Sequence, residues 1–471
     1  MKAGINMESS MRANVKDAYS KKAGSMKADS IKASPTQAAS LKADWVKADS
    51  MIFGSTKAGT GIGRAKIADR TILELVKSNT FDASNVSNVS NVSNVSNVSN
   101  VSNAPNVPDS SKINNLNNLN SVNRENLRQM ARLLGRVGAD IYEIDAASLK
   151  FIDVFPPQSI LLFHVPATEE RELTKSAKGR DEPESLEILR QYQFPMVALD
   201  IKEYVKPCWI DFCRHYSGEV MLEIEVGRIS EAEKVLSIYL GYLRFKGASP
   251  SCLRLKGLEK QEPWLASGDT ARLKRKFGLE ICLSPVDTFA TAGAICVEVM
   301  NGAADYITTS FCGKGEKGGW AALEEIILAS YILYGATWSS ETQVLREVSR
   351  IFSRVTREPI PPQKPVIGSG IFRCESGIHA DGLYKNPSLY EPYPPELTGH
   401  QREIVIGKHS GIASLLHMFQ ELKIGGLERD QAREILAKVR AKSVELKRFL
   451  YPEEVRVIAG EFGYWTKNGS G

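Results

Sequence analysis

Apolar and polar residues alternate along residues 61–335 with two different periods. Short apolar runs typical of buried strands are separated by longer stretches with the spacing of amphipathic helices. Eight strands are predicted, at Ala65–Asp69, Asp140–Ile144, Ser159–His164, Pro195–Ile201, Val220–Val226, Cys252–Lys256, Leu279–Ser284 and Asp305–Ser310. Eight strands alternating with helices predict an α/β protein, a parallel (β/α)8 TIM barrel, with a doubly wound sheet as the alternative.

Helical patterns fill most of the gaps between these strands. They lie near Glu125–Val137, Glu182–Gln191, Lys206–Tyr216, Glu231–Phe245, Pro263–Phe277, Thr288–Asn301 and Gly319–Tyr334, with no clear helix between the second and third strands. Further helices are predicted near Glu341–Ser353, Ile412–Leu422, Glu428–Leu446 and Pro452–Glu461. Residues 336–471 are therefore predicted to form a small linker and helical subdomain after the barrel.

Two segments lack the apolar residues that a packed core requires. Residues 1–60 repeat a loose Lys-Ala-Asp/Gly-Ser pattern, which predicts a disordered tail. Residues 83–123 include six consecutive Asn-Val-Ser triplets and are predicted to form a low-complexity loop inserted into the barrel. Because this loop follows the first strand, we expect it at the active-site face of the barrel.

Composition excludes several classes of protein. The net charge of +5 arises partly from the lysine-rich N-terminal segment, and no basic stripe interleaved with aromatic residues follows it, so nucleic-acid binding is not expected. No apolar run is long enough to cross a membrane. The seven cysteines show no Cys-x-x-Cys spacing, which predicts reduced thiols. The first residues do not resemble a signal peptide, so we expect a cytoplasmic protein.

The most specific sequence lies between Gly370 and Gly411. It contains ESGIHADG at 375–382 and GKHSG at 407–411. These motifs resemble the linker domain of the homocitrate synthase and isopropylmalate synthase family, and the small second domain makes the short, nitrogen-fixation type of homocitrate synthase the closer resemblance. The resemblance implies an acyltransferase that condenses acetyl-CoA with a 2-oxo acid, 2-oxoglutarate, with the help of a divalent metal, Mg or Mn.

The same resemblance implies two groups of functional residues. His379 and Glu375 match linker residues that assist proton transfer, often in the active site of the partner subunit, and an imidazole beside a carboxylate suits that work. The alternative for His379 is that it only caps a glycine-rich turn. Gly313, Gly315 and Glu316 match a substrate-binding loop after the eighth strand, where glycines allow close approach to a ligand.

The residues implied for the metal site depart from the family pattern. Glu74 stands at the metal-binding position of the first strand, and Leu73 replaces the catalytic arginine, so we expect a fixed positive charge to be lost. On the seventh strand, Cys282 and Ser284 replace two histidines, which predicts a degenerate metal site. The alternatives are an ordinary exposed carboxylate at Glu74 and a small buried side chain at Cys282.

These observations leave three functions open. The chain is a homocitrate synthase-like acyltransferase, a catalytically silent barrel subunit that pairs with an intact synthase, or a regulator that binds a small molecule. The metal pocket departs from the family pattern while the linker motif is intact. This combination favours the silent subunit, because His379 would then serve the active site of a partner. The implied partners are small-molecule substrates and a second chain, either an identical copy in a homodimer or a related synthase in a heteromer.

Overall fold

Eight parallel strands close into a barrel in this computed structural model. They are β1 (Lys66–Asp69), β2 (Ile141–Ile144), β3 (Ile160–Val165), β4 (Met196–Asp200), β5 (Glu219–Val226), β6 (Cys252–Gly257), β7 (Glu280–Pro285) and β8 (Tyr306–Ser310). β1 pairs with both β2 and β8, so the eight strands form a closed ring. The predicted (β/α)8 barrel and its eight strands are confirmed, and the doubly wound alternative is wrong. A two-residue strand, β9 (Ala321–Ala322), extends the sheet beside β8.

The structure describes residues 64–77, 110–167, 183–335, 341–376, 379, 382–383, 385–422, 424 and 428–464, with only the backbone for 110–122. The predicted tail at 1–60 and most of the predicted Asn-Val-Ser loop lie outside these residues. A helix begins at Ser110, within the segment 83–123 that was predicted to be a loop. Within the described part of the chain, no helix is both long enough and apolar enough to span a membrane.

Helices surround the barrel in the predicted order. They are α1 (Thr71–Lys77), α2 (Ser110–Val137), α3 (Glu184–Gln191), α4 (Ile201–Tyr204), α5 (Pro207–His215), α6 (Ile229–Phe245), α7 (Pro263–Phe277), α8 (Ala292–Met300) and α9 (Leu323–Tyr334). α5 and α7 begin at proline, which has no backbone N–H to leave unpaired at a helix start. Between β2 and β3 a short 3-10 helix, Leu149–Val154, takes the place of the helix that the sequence did not predict.

The barrel interior has two layers of different polarity. The layer at the start of the strands is almost wholly apolar and contains Ala68, Ile141, Leu162, Met196, Ala198, Met221, Cys252, Cys282 and Tyr306. This layer closes the bottom of the barrel with packed side chains. Polar groups that do chemistry are therefore confined to the half of the barrel at the carboxyl ends of the strands, where barrel enzymes carry their active sites.

The remaining chain forms a linker and a second hydrophobic core. Its elements are α10 (Leu345–Thr356), β10 (Arg373–Cys374), β11 (Glu403–Ile404), α11 (Ile412–Glu421), α12 (Arg429–Leu446) and α13 (Pro452–Glu461). β10 and β11 pair in parallel, and α11, α12 and α13 pack around their own apolar cluster. α10 packs instead on the barrel, where the Arg354 guanidinium donates to Asn126 of α2 at 3.3 Å.

Candidate active site

Charged side chains fill the polar half of the barrel interior. We call them the barrel cluster, and its members are Arg70, Glu74, Glu143, His164, Glu223, Arg254 and Lys256. The five strand residues come from β2, β3, β5 and β6, at positions where the two-residue period of a strand turns the side chain inward. Every member except Lys256 is buried, so these charges face one another rather than solvent.

The Arg254 side chain lies at the centre of the barrel cluster and is fully buried. Its Nη2 donates to Glu143 and, at 2.8 Å, to the Thr308 hydroxyl. Its Nε lies 3.7 Å from Glu223 Oε2. In the strand register, Arg254 is opposite Cys282, one of the two positions where the family has histidine. A guanidinium therefore brings positive charge to the place where the resemblance implied a metal ion.

Arg70 supplies a second buried guanidinium. Its Nη1 donates to Glu143, and its Nε donates to Glu74 Oε1 at 3.1 Å. The indole of Trp320 covers it, with the guanidinium carbon 4.5 Å from the ring centre, and Trp320 Nε1 donates to Glu74 at 3.1 Å. The expected loss of a fixed positive charge is wrong. Leu73 is buried in the core, as its position in α1 dictates, while Arg70 enters the site from the turn just before that helix.

The carboxylates of the barrel cluster are matched by cations. Burial alone would raise the pKa of Glu143, but Arg254 and Arg70 outweigh it and lower that pKa to about 2. Burial would also raise the pKa of Glu223, but three cationic or basic neighbours lower it. They are His164 at 3.2 Å, Arg254, and Lys256 at 2.7 Å. Both carboxylates therefore stay ionised at neutral pH. Among the described residues, Arg254 Nε and Nη1, Glu223 Oε2 and His164 Nδ1 are nevertheless buried without a hydrogen-bond partner.

The residues predicted as metal ligands do not fit a divalent cation. Glu74 is buried, so the exposed alternative is wrong, and its Oε1 already accepts two hydrogen bonds. Burial raises the pKa of Cys282 to about 11, so this residue is a neutral thiol in the metal-free barrel. Ser284 is a poor ligand. Over the described ranges, no group of three His, Cys, Asp or Glu side chains is arranged to hold a metal.

The loop after β8 contacts the barrel cluster through Trp320. Gly313 lines a cavity of about 810 Å³ beside α8 and α9. Gly315 lies against the Trp320 ring so closely that a Cβ would sit 2.5 Å from Cδ1, so this glycine is required for the indole to cover Arg70. Glu316 is exposed, and its carbonyl accepts from the Gly319 N–H at 2.8 Å. Substrate binding by Gly313, Gly315 and Glu316 stays a prediction.

The two linker motifs fold around Glu375. Its carboxylate accepts from the His409 backbone N–H at 3.0 Å, and its carbonyl accepts from the Ser410 hydroxyl at 2.9 Å. A Cβ at Gly407 would lie 2.5 Å from Glu375 Oε1, so a larger residue there would displace the Glu375 carboxylate. Glu375 thus connects the two motifs, and a catalytic role for it remains a prediction.

His379 is exposed, in contrast to Glu375. Its ring lies 5.1 Å from that of Tyr390, and it lines a largely apolar cavity of about 520 Å³ in the linker. The imidazole is therefore accessible to a molecule outside this chain.

Sequence reasoning missed most of the barrel cluster. Glu143, Glu223 and Arg254 were passed over because they sit inside apolar runs that predict buried strands. Such a position is itself a signal, since charged residues are almost never fully buried unless they are paired. His164 carries no motif, and only the fold brings it to Glu223.

Two further buried carboxyl groups give the fold a dependence on pH. Burial raises the pKa of Asp69 from 3.8 to about 7, although the Thr71 hydroxyl donates to it at 2.7 Å. Burial also raises the pKa of Glu324 from 4.5 to about 7, and Lys364 only partly offsets this effect. A carboxyl whose pKa is raised by folding stabilises the fold at low pH, and that contribution disappears as pH rises through the folded value.

We therefore expect the free energy of unfolding to fall between about pH 4 and about pH 7, by at most ~1.4 kcal/mol per unit of raised pKa. Urea denaturation at several pH values measures this. Asp69→Asn should flatten the profile, whereas Asp211→Asn, at an exposed position, should leave it unchanged. A wild-type profile that is flat over this range would contradict the expectation.

Comparisons with known proteins agree with the linker motifs. Residues 366–447 match the family described as homocitrate synthase post-HMGL domain-like. The chain is 28% identical to the homocitrate synthase omega subunit of Clostridium pasteurianum over 70% of this chain and 88% of that protein. It is 36% identical to 2-isopropylmalate synthase 2 of Caldanaerobacter subterraneus over 40% of this chain and 48% of that one. It is 32% identical to homocitrate synthase 1 of Nostoc sp. over 43% of this chain and 54% of that protein.

Proposed function

Because these relatives confirm the resemblance of the chain to the homocitrate synthase and isopropylmalate synthase family, we propose that it is a subunit of a homocitrate synthase-type acyltransferase. The reaction would condense acetyl-CoA with a 2-oxo acid, and we take 2-oxoglutarate as that acid. The observation that carries the subunit assignment is the barrel cluster, in which Arg254 and Arg70 pair with the carboxylates that face the centre of the barrel.

A barrel filled in this way is unsuited to bind a chelated 2-oxo acid by itself. Lewis-acid catalysis requires a metal with fixed ligands and open positions for the substrate. Glu143 and Glu74 instead accept hydrogen bonds from guanidinium groups, and Trp320 covers Arg70. We therefore assign the metal-dependent step to another chain. A regulator that binds its ligand inside the barrel has less support, because every cluster member except Lys256 is buried and Glu143 and Glu223 already have cationic partners.

The linker is the part of this chain that we assign to catalysis. His379 is exposed and lies outside the barrel cluster, so it is available to the active site of a partner. An imidazole can take a proton from one group and return it to another, which the acetyl methyl group requires during condensation. The linker motif around Glu375 would hold the segment that carries His379 in place.

The partner that fits this role is a related synthase chain rather than an identical copy. Two copies of this chain would bring together two barrels with the same guanidinium groups, and in neither do the described residues form a metal-binding group. In a heteromer, the related synthase chain would supply the metal-binding residues. The name of the relative from Clostridium pasteurianum, an omega subunit, supports an enzyme with more than one kind of chain.

We expect no release of free thiol when this chain alone is mixed with acetyl-CoA and 2-oxoglutarate, with or without Mg or Mn. Adding a metal-competent relative whose own linker histidine is mutated should restore release, because His379 supplies the missing proton-transfer group across the interface. Spectrophotometric detection of free CoA measures this.

The matched variant is His379→Ala, which should abolish the restored activity while the two chains still associate. His409→Ala, in the second motif, should have a smaller effect, because the contact found for His409 uses its backbone N–H. Metal-dependent thiol release by this chain alone would refute the subunit assignment. Restoration that persists with His379→Ala would refute the role of that histidine.

A further inference from the structure

A second charged site lies outside the barrel, between α10 and the linker. It is a cavity of about 540 Å³ lined by Arg346, Arg350, Ser369, Arg373, Gly399, His400, Gln401, Arg402 and Glu403. We call it the arginine pocket. Four of its residues are arginines, and Glu403 is the one acidic residue among those that line it. Its volume is in the range of small-molecule binding sites.

Two of the four arginines are paired with acidic residues. Arg373 donates to Glu403 at 2.8 Å, and Arg402 makes a two-pronged contact with Glu391 at 2.6 and 2.7 Å. Arg346 and Arg350 have no ion-pair partner in the part of the chain that the structure describes. The pocket therefore holds two guanidinium groups without an ion pair, one half-buried at Arg346 and one exposed at Arg350.

These two guanidinium groups are held close together by the helix. Arg346 and Arg350 are four residues apart on α10, a spacing that places side chains on the same face. Burial lowers the pKa of Arg346, and the charges of Arg350 and Arg373 lower it further, while the charge of Glu403 partly offsets this effect. Like charges at this spacing weaken a helix slightly, and a bound anion would relieve that repulsion.

We propose that the arginine pocket binds a phosphate-class dianion, either free phosphate or the phosphate monoester of a nucleotide. Two uncompensated guanidinium groups match the charge of a dianion, and their planar arrays of N–H donors match its oxygens. The volume of the pocket exceeds what a single phosphate needs, which favours a larger molecule that carries one. This site is separate from the barrel cluster and does not depend on the proposed function.

The test is a calorimetric titration of the full chain with inorganic phosphate and, separately, with 3′,5′-ADP, against sodium chloride of equal ionic strength. We expect saturable binding of one anion per chain, tighter for 3′,5′-ADP if a nucleotide is the ligand. Arg346→Gln and Arg350→Gln should each weaken binding by about tenfold or more, because each removes a charged hydrogen-bond donor. Arg244→Gln, at an exposed position on α6, is the matched control and should bind normally.

Thermal denaturation keeps the test informative if a variant folds poorly. Without phosphate, Arg346→Gln should melt at the same temperature as the wild type or higher, since it separates like charges. With phosphate, the wild type should gain stability and both pocket variants should not. Absence of saturable binding of either anion, or a phosphate effect that survives in both variants, would overturn the proposal. So would loss of a protein partner in these variants without any effect of phosphate, because the pocket would then bind an acidic segment of another chain.

Discussion

Replacing Arg254 with methionine is expected to destabilise the folded chain by roughly 3–5 kcal/mol, the usual consequence of removing one partner from a buried ion pair. Methionine fills a similar volume, so the effect comes mainly from the lost charge and the lost hydrogen bonds to Glu143 and Thr308. Arg254 is fully buried, and its loss leaves Glu143 and Glu223 with fewer cations in an interior that does not solvate them. Urea denaturation followed by circular dichroism measures the change.

A double-mutant cycle separates lost charge pairing from lost packing. If the carboxylate is the cause, adding Glu143→Gln to Arg254→Met should recover part of the stability, because the unpaired charge disappears. Arg136→Met, which breaks the exposed pair with Glu341, should change stability little. Equal effects of the two arginine variants, or no recovery in the double variant, would show that the barrel cluster does not balance its charges as described.

The intact chain is also expected to bind Mg or Mn at least about tenfold more weakly than a relative that keeps the ligands of the family. Cys282 is a buried neutral thiol, and Glu74 accepts hydrogen bonds from Arg70 and Trp320. A divalent cation entering the barrel would have to displace the positive charge of Arg254. Repulsion by that guanidinium therefore adds to the loss of ligands.

The fold was predictable because strand and helix periods differ clearly along residues 61–335. Each predicted strand lies within a residue or two of an observed one, since buried parallel strands are continuous apolar runs bounded by polar turns. The beginning of α2 was missed because the chain there is rich in Asn and Ser, which are poor helix formers. The 3-10 helix before β3 was missed because its six residues are too short to show a period.

The functional site was less predictable, because it is assembled from many strands. The prediction of a degenerate metal site rests on Cys282 and Ser284 alone, since ligand chemistry is a property of residue type, and it stays a prediction. The two guanidinium groups in the barrel could not be predicted from residue type. The family pattern placed Leu73 at the arginine position and gave no reason to consider Arg70. Arg254 lies far along the sequence from Glu143, and only the closure of the barrel brings the two side chains together.

The most direct measurement is a calorimetric titration of the intact chain with Mn, alongside two variants. Cys282→His with Ser284→His restores the imidazoles but keeps Arg254, and should bind poorly. Adding Arg254→Gln to this double variant should produce saturable binding of Mn. That result would show that the Arg254 guanidinium occupies the place of the metal. The intact chain should show no saturable heat. Micromolar binding of one ion per intact chain, abolished by Glu143→Gln, would contradict a barrel in which guanidinium groups replace the metal.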